Sequence, residues 1–180
     1  MKKYFIQYKP FLLFLGKFFL AYLILTLIYR LYITNTCDDC VDRITQNVSI
    51  LTEKFSNFMG FNLSTVRDYG QYKIIFENKM VARIVEGCNA VSVIILFISF
   101  VIAFSGKFKQ TFFFILTGSL IIYILNIFRI IVLSVLMFHY PEQEHFLHGV
   151  VFPLIIYGVV FILWVIWVNK FSKYATTTIK

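Results

Sequence analysis

The sequence predicts an all-α membrane protein: a four-helix transmembrane bundle with a small extracytoplasmic α+β insertion between its first two helices. Three observations predict it. The 180 residues are 59% hydrophobic, with 22 Phe and 11 Tyr, and mean hydropathy is +0.79, which excludes an ordinary soluble domain. Uncharged apolar runs recur at roughly the 18 or more residues that a membrane-crossing helix requires. The charges are segregated between the loops, and the one long polar stretch falls after the first run.

The first span is expected at about 12–33, where Lys17 and Arg30 near its ends can extend to the headgroups. It is too long for a signal peptide and lacks a small-residue cleavage site, so it reads as retained. Further spans are expected at about 89–105, 111–137 and 148–168. With no internal repeat and no low-complexity linker, residues 1–180 form a single integral membrane domain, interrupted by an extracytoplasmic insertion at 34–87.

Charge orients these spans. Lys2, Lys3 and Lys9 precede the first, Lys107 and Lys109 join the second to the third, and Lys170, Lys173 and Lys180 follow the fourth. All nine acids lie in 34–87 or in the short loop holding Glu142 and Glu144. The excess of Lys on one side places both termini in the cytoplasm and the insertion outside. The net charge of +8 is thereby a topology signal and needs no nucleic acid to explain it.

Within the insertion, Val41, Ile44, Val48, Leu51, Phe55 and Phe58 recur at helical spacing. They predict an amphipathic helix, capped by Asp38 or Asp39 and stopped at Gly60, lying on the membrane or over the bundle. Tyr72–Phe76 and Met80–Val85 flank Glu77-Asn78-Lys79 as a short hairpin. Its second strand runs directly into Glu86-Gly87-Cys88.

Three reactive side chains sit at the margins of the apolar runs: Cys88, Arg129 and His148. An ionisable group inside a span costs about 2.5–3.5 kcal/mol on insertion scales, so it ordinarily has a task or a partner. Cys88 heads the second span and His148 the fourth. Arg129 lies roughly 27 Å along the third from Thr111. All three thus share one depth at the outer leaflet. A thiolate is a strong nucleophile, a histidine can take its proton and later protonate a leaving amine, and a guanidinium can stabilise an oxyanion. Asn126, one turn before Arg129 on the same face, is expected to orient the guanidinium or supply a second donor. The combination supports acyl transfer through a thioester.

Glu86-Gly87-Cys88-Asn89-Ala90 at the head of a span, Asn126-x-x-Arg129-Ile130 within the next, and His148 at the start of the last resemble the exosortase/archaeosortase family, nearest its short type F branch. The resemblance covers roughly residues 86–169. It implies a membrane-embedded cysteine protease and transpeptidase that cleaves C-terminal sorting signals of exported proteins and transfers them to a cell-envelope acceptor. Cys88 would be the nucleophile, Arg129 the transition-state donor and His148 the acid/base, with Glu86, Asn89 and Asn126 as supporting residues. His145 is the reserve candidate for the histidine, and His139 reads as an interfacial anchor. Many members carry Gly after the Cys-Asn or Cys-Ser pair, where this chain has Ala90. Implied partners are exported proteins bearing a short motif, a hydrophobic helix and a basic tail, together with membrane lipids and a small accessory membrane protein. The implied setting is the bacterial inner membrane, with the active site facing the periplasm. Nothing points to a metal or organic cofactor.

Two other readings stand beside this one. Cys37-Asp38-Asp39-Cys40 allows an extracytoplasmic thiol-disulfide oxidoreductase, although such enzymes need a second cysteine pair and only Cys88 remains. A local disulfide between Cys37 and Cys40 that steadies the end of the first span is the simpler use. A non-enzymatic membrane scaffold is the remaining alternative.

Overall fold

The first apolar run forms one unbroken helix, α1 (Lys2–Thr34). Thr34 closes its last turn by donating its hydroxyl to the Arg30 and Leu31 carbonyls at 3.1 and 3.2 Å. The computed structural model describes residues 2–35, 41–104 and 106–172, with side chains from residue 8 onward. The Cys37–Cys40 pair and the expected caps Asp38 and Asp39 lie outside the described residues. α1 rests mainly on the helix that follows the insertion. The rest of its surface is uncovered, with Phe11, Leu23 and Leu31 at 59%, 56% and 62% exposure, as befits a helix apolar on every side.

The insertion begins with α2 (Arg43–Phe58). Its cap is Asp42, whose carboxylate accepts from the Ile44 and Thr45 amides at 2.8 and 3.0 Å; a carboxylate there satisfies amides that lack intrahelical partners. The helix stops where expected. Gly60, at φ +86°, donates to Asn57 O at 3.1 Å, and Phe61 donates to Ser56 O at 3.0 Å, the paired bonds of a Schellman ending.

The buried face of α2 differs from the expected apolar stripe. Thr45, Val48, Ser49, Thr52 and Ser56 face inward, where the helix packs on the first strand of the sheet and on the long helix Phe108–His139. The bulky residues turn aside: Phe55 is 42% and Phe58 89% exposed.

The expected hairpin forms as β2 (Gln71–Phe76) and β3 (Lys79–Ile84). Glu77 and Asn78, at φ 48° and 62°, make a left-handed two-residue turn whose twist matches that of the strands. A further strand, β1 (Leu63–Asp68), completes an antiparallel sheet of order β1-β2-β3. This strand buries only Leu63. Glu53 of α2 helps to hold it, accepting from the Thr65 amide at 3.0 Å and the Thr65 hydroxyl at 2.7 Å.

After the sheet, α3 (Val91–Ala103) has 13 residues, about 20 Å at 1.5 Å per residue and short of a ~30 Å hydrocarbon core. The span expected at 89–105 is therefore shorter than drawn. Its first residues are used in a turn, and the helix closes at Phe104. α4 (Phe108–His139) follows with 32 residues. The expected fourth span starts earlier than position 148, as part of a helical run from Pro141 to Phe171. This run contains α5 (Glu144–Phe146), a π-helical stretch (Leu147–Val151), α6 (Phe152–Ile166) and a second π-helical stretch (Trp167–Phe171). Among the described residues, Tyr8–Thr34, Phe108–His139 and Pro141–Phe171 are long and apolar enough to cross a membrane.

Two main cores hold this together, beside a smaller cluster of Leu133, Met137 and Phe152. Phe97, Val101, Ile122, Val160 and Trp167 join α3, α4 and the last helical run. Gly118 is required there, since a Cβ would stand 2.3 Å from the Phe97 ring. The second core packs Val48, Leu63, Ile74, Phe76 and Ile84 against Ile130 of α4. The sheet thus sits on the C-terminal half of α4, beside Arg129.

Candidate active site

The chain leaves β3 through an extended Val85 (φ −114°, ψ 169°) and makes one 3-10 turn, Glu86–Cys88. The Cys88 amide closes it onto Val85 O at 2.8 Å. Ala90 then adopts φ 64°, ψ 0° before α3 begins. That left-handed conformation reverses the chain from sheet edge to helix and favours glycine.

Three helices grip this turn. Asn126 of α4 donates to Cys88 O at 2.7 Å. Asn89 donates to the Tyr29 hydroxyl oxygen of α1 at 2.7 Å and to Thr45 Oγ1 of α2 at 3.1 Å. Its own amide oxygen accepts from Val91 N at 3.0 Å. Thr45 donates its hydroxyl onward to Asp42. Asn89 and Asn126 are 2% and 3% exposed, so these bonds supply partners that water cannot. Asn126, expected to orient the guanidinium or supply a second donor, directs its amide donor to the cysteine backbone, because its short side chain meets the turn packed against α4.

The cysteine itself is a free, half-buried thiol. Cys88, Arg129 and His148 line one small cavity together with Asn126, Arg83 and Leu133. Its volume is about 20 Å³, room for about one water molecule. Arg129 is half-buried and has no ion pair or hydrogen bond to another described residue, so its donors are free to meet a ligand. The cavity opens beside a groove of about 490 Å³, also lined by Cys88 and His148.

The other sequence candidates fall elsewhere. His145 lines an adjoining surface depression with Glu142, Glu144 and His148, away from the thiol. Glu86 is half-buried on the 3-10 turn and lines neither the cavity nor the groove. His139 ends α4 against the Phe138 ring, 5.2 Å between centroids. Sequence reasoning missed Tyr29, Thr45, Asp42 and Arg83. Asp42-x-x-Thr45 carries a helix-cap signature that could have been found; Tyr29 is one of 11 tyrosines with no local signal.

Among the described residues, three helices long and apolar enough to cross a membrane define a multi-pass membrane protein, with a cavity beside the head of α3 that Cys88, Arg129 and His148 line. The chain belongs to the transmembrane exosortase family (Exosortase_EpsH), whose model matches residues 8–168. Family membership makes a membrane transpeptidase of protein sorting the indicated class. No curated protein and no solved structure matches the chain.

Proposed function

We propose that this exosortase is a cysteine transpeptidase that cuts C-terminal sorting signals and passes the exported protein to a cell-envelope acceptor. The observation carrying this reading is the shared cavity of Cys88, Arg129 and His148, in which the guanidinium is left unpaired among the described residues.

His148 takes the Cys88 proton as Sγ attacks the scissile carbonyl carbon. The S–C bond forms, and Arg129 donates to the resulting oxyanion. Collapse breaks the C–N bond, and His148 delivers its proton to the leaving amine. The thioester is then attacked by an acceptor nucleophile: the new acyl bond forms, the S–C bond breaks, and the thiol regains a proton. Asn126 and Asn89 fix the turn that aims Sγ. The loop charges support cytoplasmic termini and a site facing the periplasm in the bacterial inner membrane. Substrates are exported proteins ending in a motif, a hydrophobic helix and a basic tail.

Processing of such a signal should be abolished by Cys88→Ala and Cys88→Ser at unchanged protein abundance, and by His148→Ala, while His145→Ala retains it. Normal processing by both cysteine variants would reject the reading. Trapping a thioester at Cys88 and sequencing the attached peptide identifies the motif directly. Replacing Cys37 and Cys40 together should leave processing intact; its loss in a folded protein would return attention to disulfide chemistry.

A further inference from the structure

β3 is an open edge. The sheet has the order β1-β2-β3, and among the described residues β3 pairs with β2 alone. Alternate backbone N–H and C=O groups along Lys79–Ile84 therefore point away from the sheet, with no backbone partner among the described residues. Proteins ordinarily blunt or cover such an edge, because it is a template for another strand.

This edge borders the large groove. Met80, Val81, Ala82 and Arg83 all line it. Ala82 and Arg83 follow the irregular position at Val81 and point to opposite faces, so a wall that contains both is the strand's edge and not one face. From β2, only Gln71 at the strand start takes part. Leu133 and Met137 of α4, against which Val81 packs, complete its apolar lining, and Cys88 and His148 also line the groove. Ala82, Arg83, Leu133 and His148 line the cavity as well, so groove and cavity adjoin. The pairing register shifts between Ile74 and Ile75, leaving Val81 as an extra residue on β3. Such bulges re-aim a strand beside an active site.

We propose that the groove binds the substrate as an extended segment added alongside β3, which carries its scissile bond to Cys88. The inference rests on the transpeptidase reading and adds how that site recognises its substrate. Main-chain hydrogen bonds to β3 hold the segment whatever its sequence, and alternate side chains meet the apolar wall of Leu133 and Met137. At about 3.3 Å per residue, a six-residue strand offers roughly 20 Å of edge, and a groove of about 490 Å³ is of the size that takes small ligands.

The test alters the ligand, so folding of the protein is not at issue. The full chain in lipid nanodiscs is treated with capped tetrapeptide vinyl sulfones, randomised in side chain. Alkylation of Cys88 is timed by peptide mapping against ethyl vinyl sulfone. The peptides should react faster than the small reagent. N-methylation of every second amide should slow them about fivefold or more, the loss of one net hydrogen bond, while intervening positions change the rate less than about twofold. Equal effects at all positions, or peptides no faster than ethyl vinyl sulfone, would overturn strand addition while leaving the nucleophile in place. Failure of ethyl vinyl sulfone itself to alkylate Cys88 would instead remove the reactive thiol, and with it both inferences.

Discussion

Ala90 shows what one backbone angle costs at this site. Its φ of 64° is disfavoured for a residue with a Cβ by about 1–2 kcal/mol, and many family members carry Gly after the Cys-Asn pair. Ala90→Gly should preserve processing and raise unfolding stability by up to about 1 kcal/mol, partly offset by the loss of a buried methyl. Ala90→Val should collapse processing, since branching at Cβ aggravates the same clash. Melting curves and processing assays on the pair read both outcomes. Arg129 tests geometry rather than charge. Arg129→Lys keeps the cation but loses the planar fork, and the rate of processing should fall by about 10²-fold, as for loss of an oxyanion donor. A rate near wild type would mean that the guanidinium does not contact the reacting atoms. Cys88, Asn126, Arg129 and His148, which line one cavity, stand out in the sequence because polar groups are conspicuous in apolar runs. The bond from Asn126 to Cys88 O was not legible there, since spacing along one helix does not tell what lies across from it.

At the scale of elements, the joint between α1, α2 and the cysteine turn depends on the Thr45 hydroxyl, which donates to Asp42 and accepts from Asn89. Thr45→Val leaves a buried amide donor of Asn89 without that partner, at a cost of about 1–3 kcal/mol. Unfolding should register that loss, whereas Thr45→Ser, which keeps the hydroxyl, should stay near wild type. If the valine variant is as stable as the parent, the joint is held by packing alone. The helix stop at Gly60 and the turn at Glu77-Asn78 were legible because each has local chemistry. β1 was not, for it buries a single residue and is tied in by Glu53, a contact across 12 positions of sequence. The inward face of α2 was misread for a related reason: which side is buried depends on α4 and β1 packed across from it and not on apolar spacing alone.

Across the whole molecule, run length made the membrane class readable, because it answers to the bilayer rather than to particular contacts, and loop charge supports an orientation. The exact reach of α3 depends instead on how the Cys88 turn enters it, which no hydropathy pattern records. The topology makes its own prediction. In a background with the native cysteines replaced, Tyr69→Cys should be labelled by an impermeant maleimide on intact cells, and Lys107→Cys only after permeabilisation. Tyr69 is 89% exposed at the β1–β2 turn, so steric protection does not blur the result. The reverse pattern would invert the protein in its membrane.

His148 lies in the π-helical stretch Leu147–Val151, directly before α6 begins at Phe152. A π-turn is an α-turn carrying one added residue, with a wider and less regular ladder. The added residue rotates everything before it by about 100° around the helix axis relative to α6, whose Val160 and Leu163 are packed into the core shared with α3 and α4. That offset sets which side of the helix His148 presents: the side of the cavity that Cys88 and Arg129 also line.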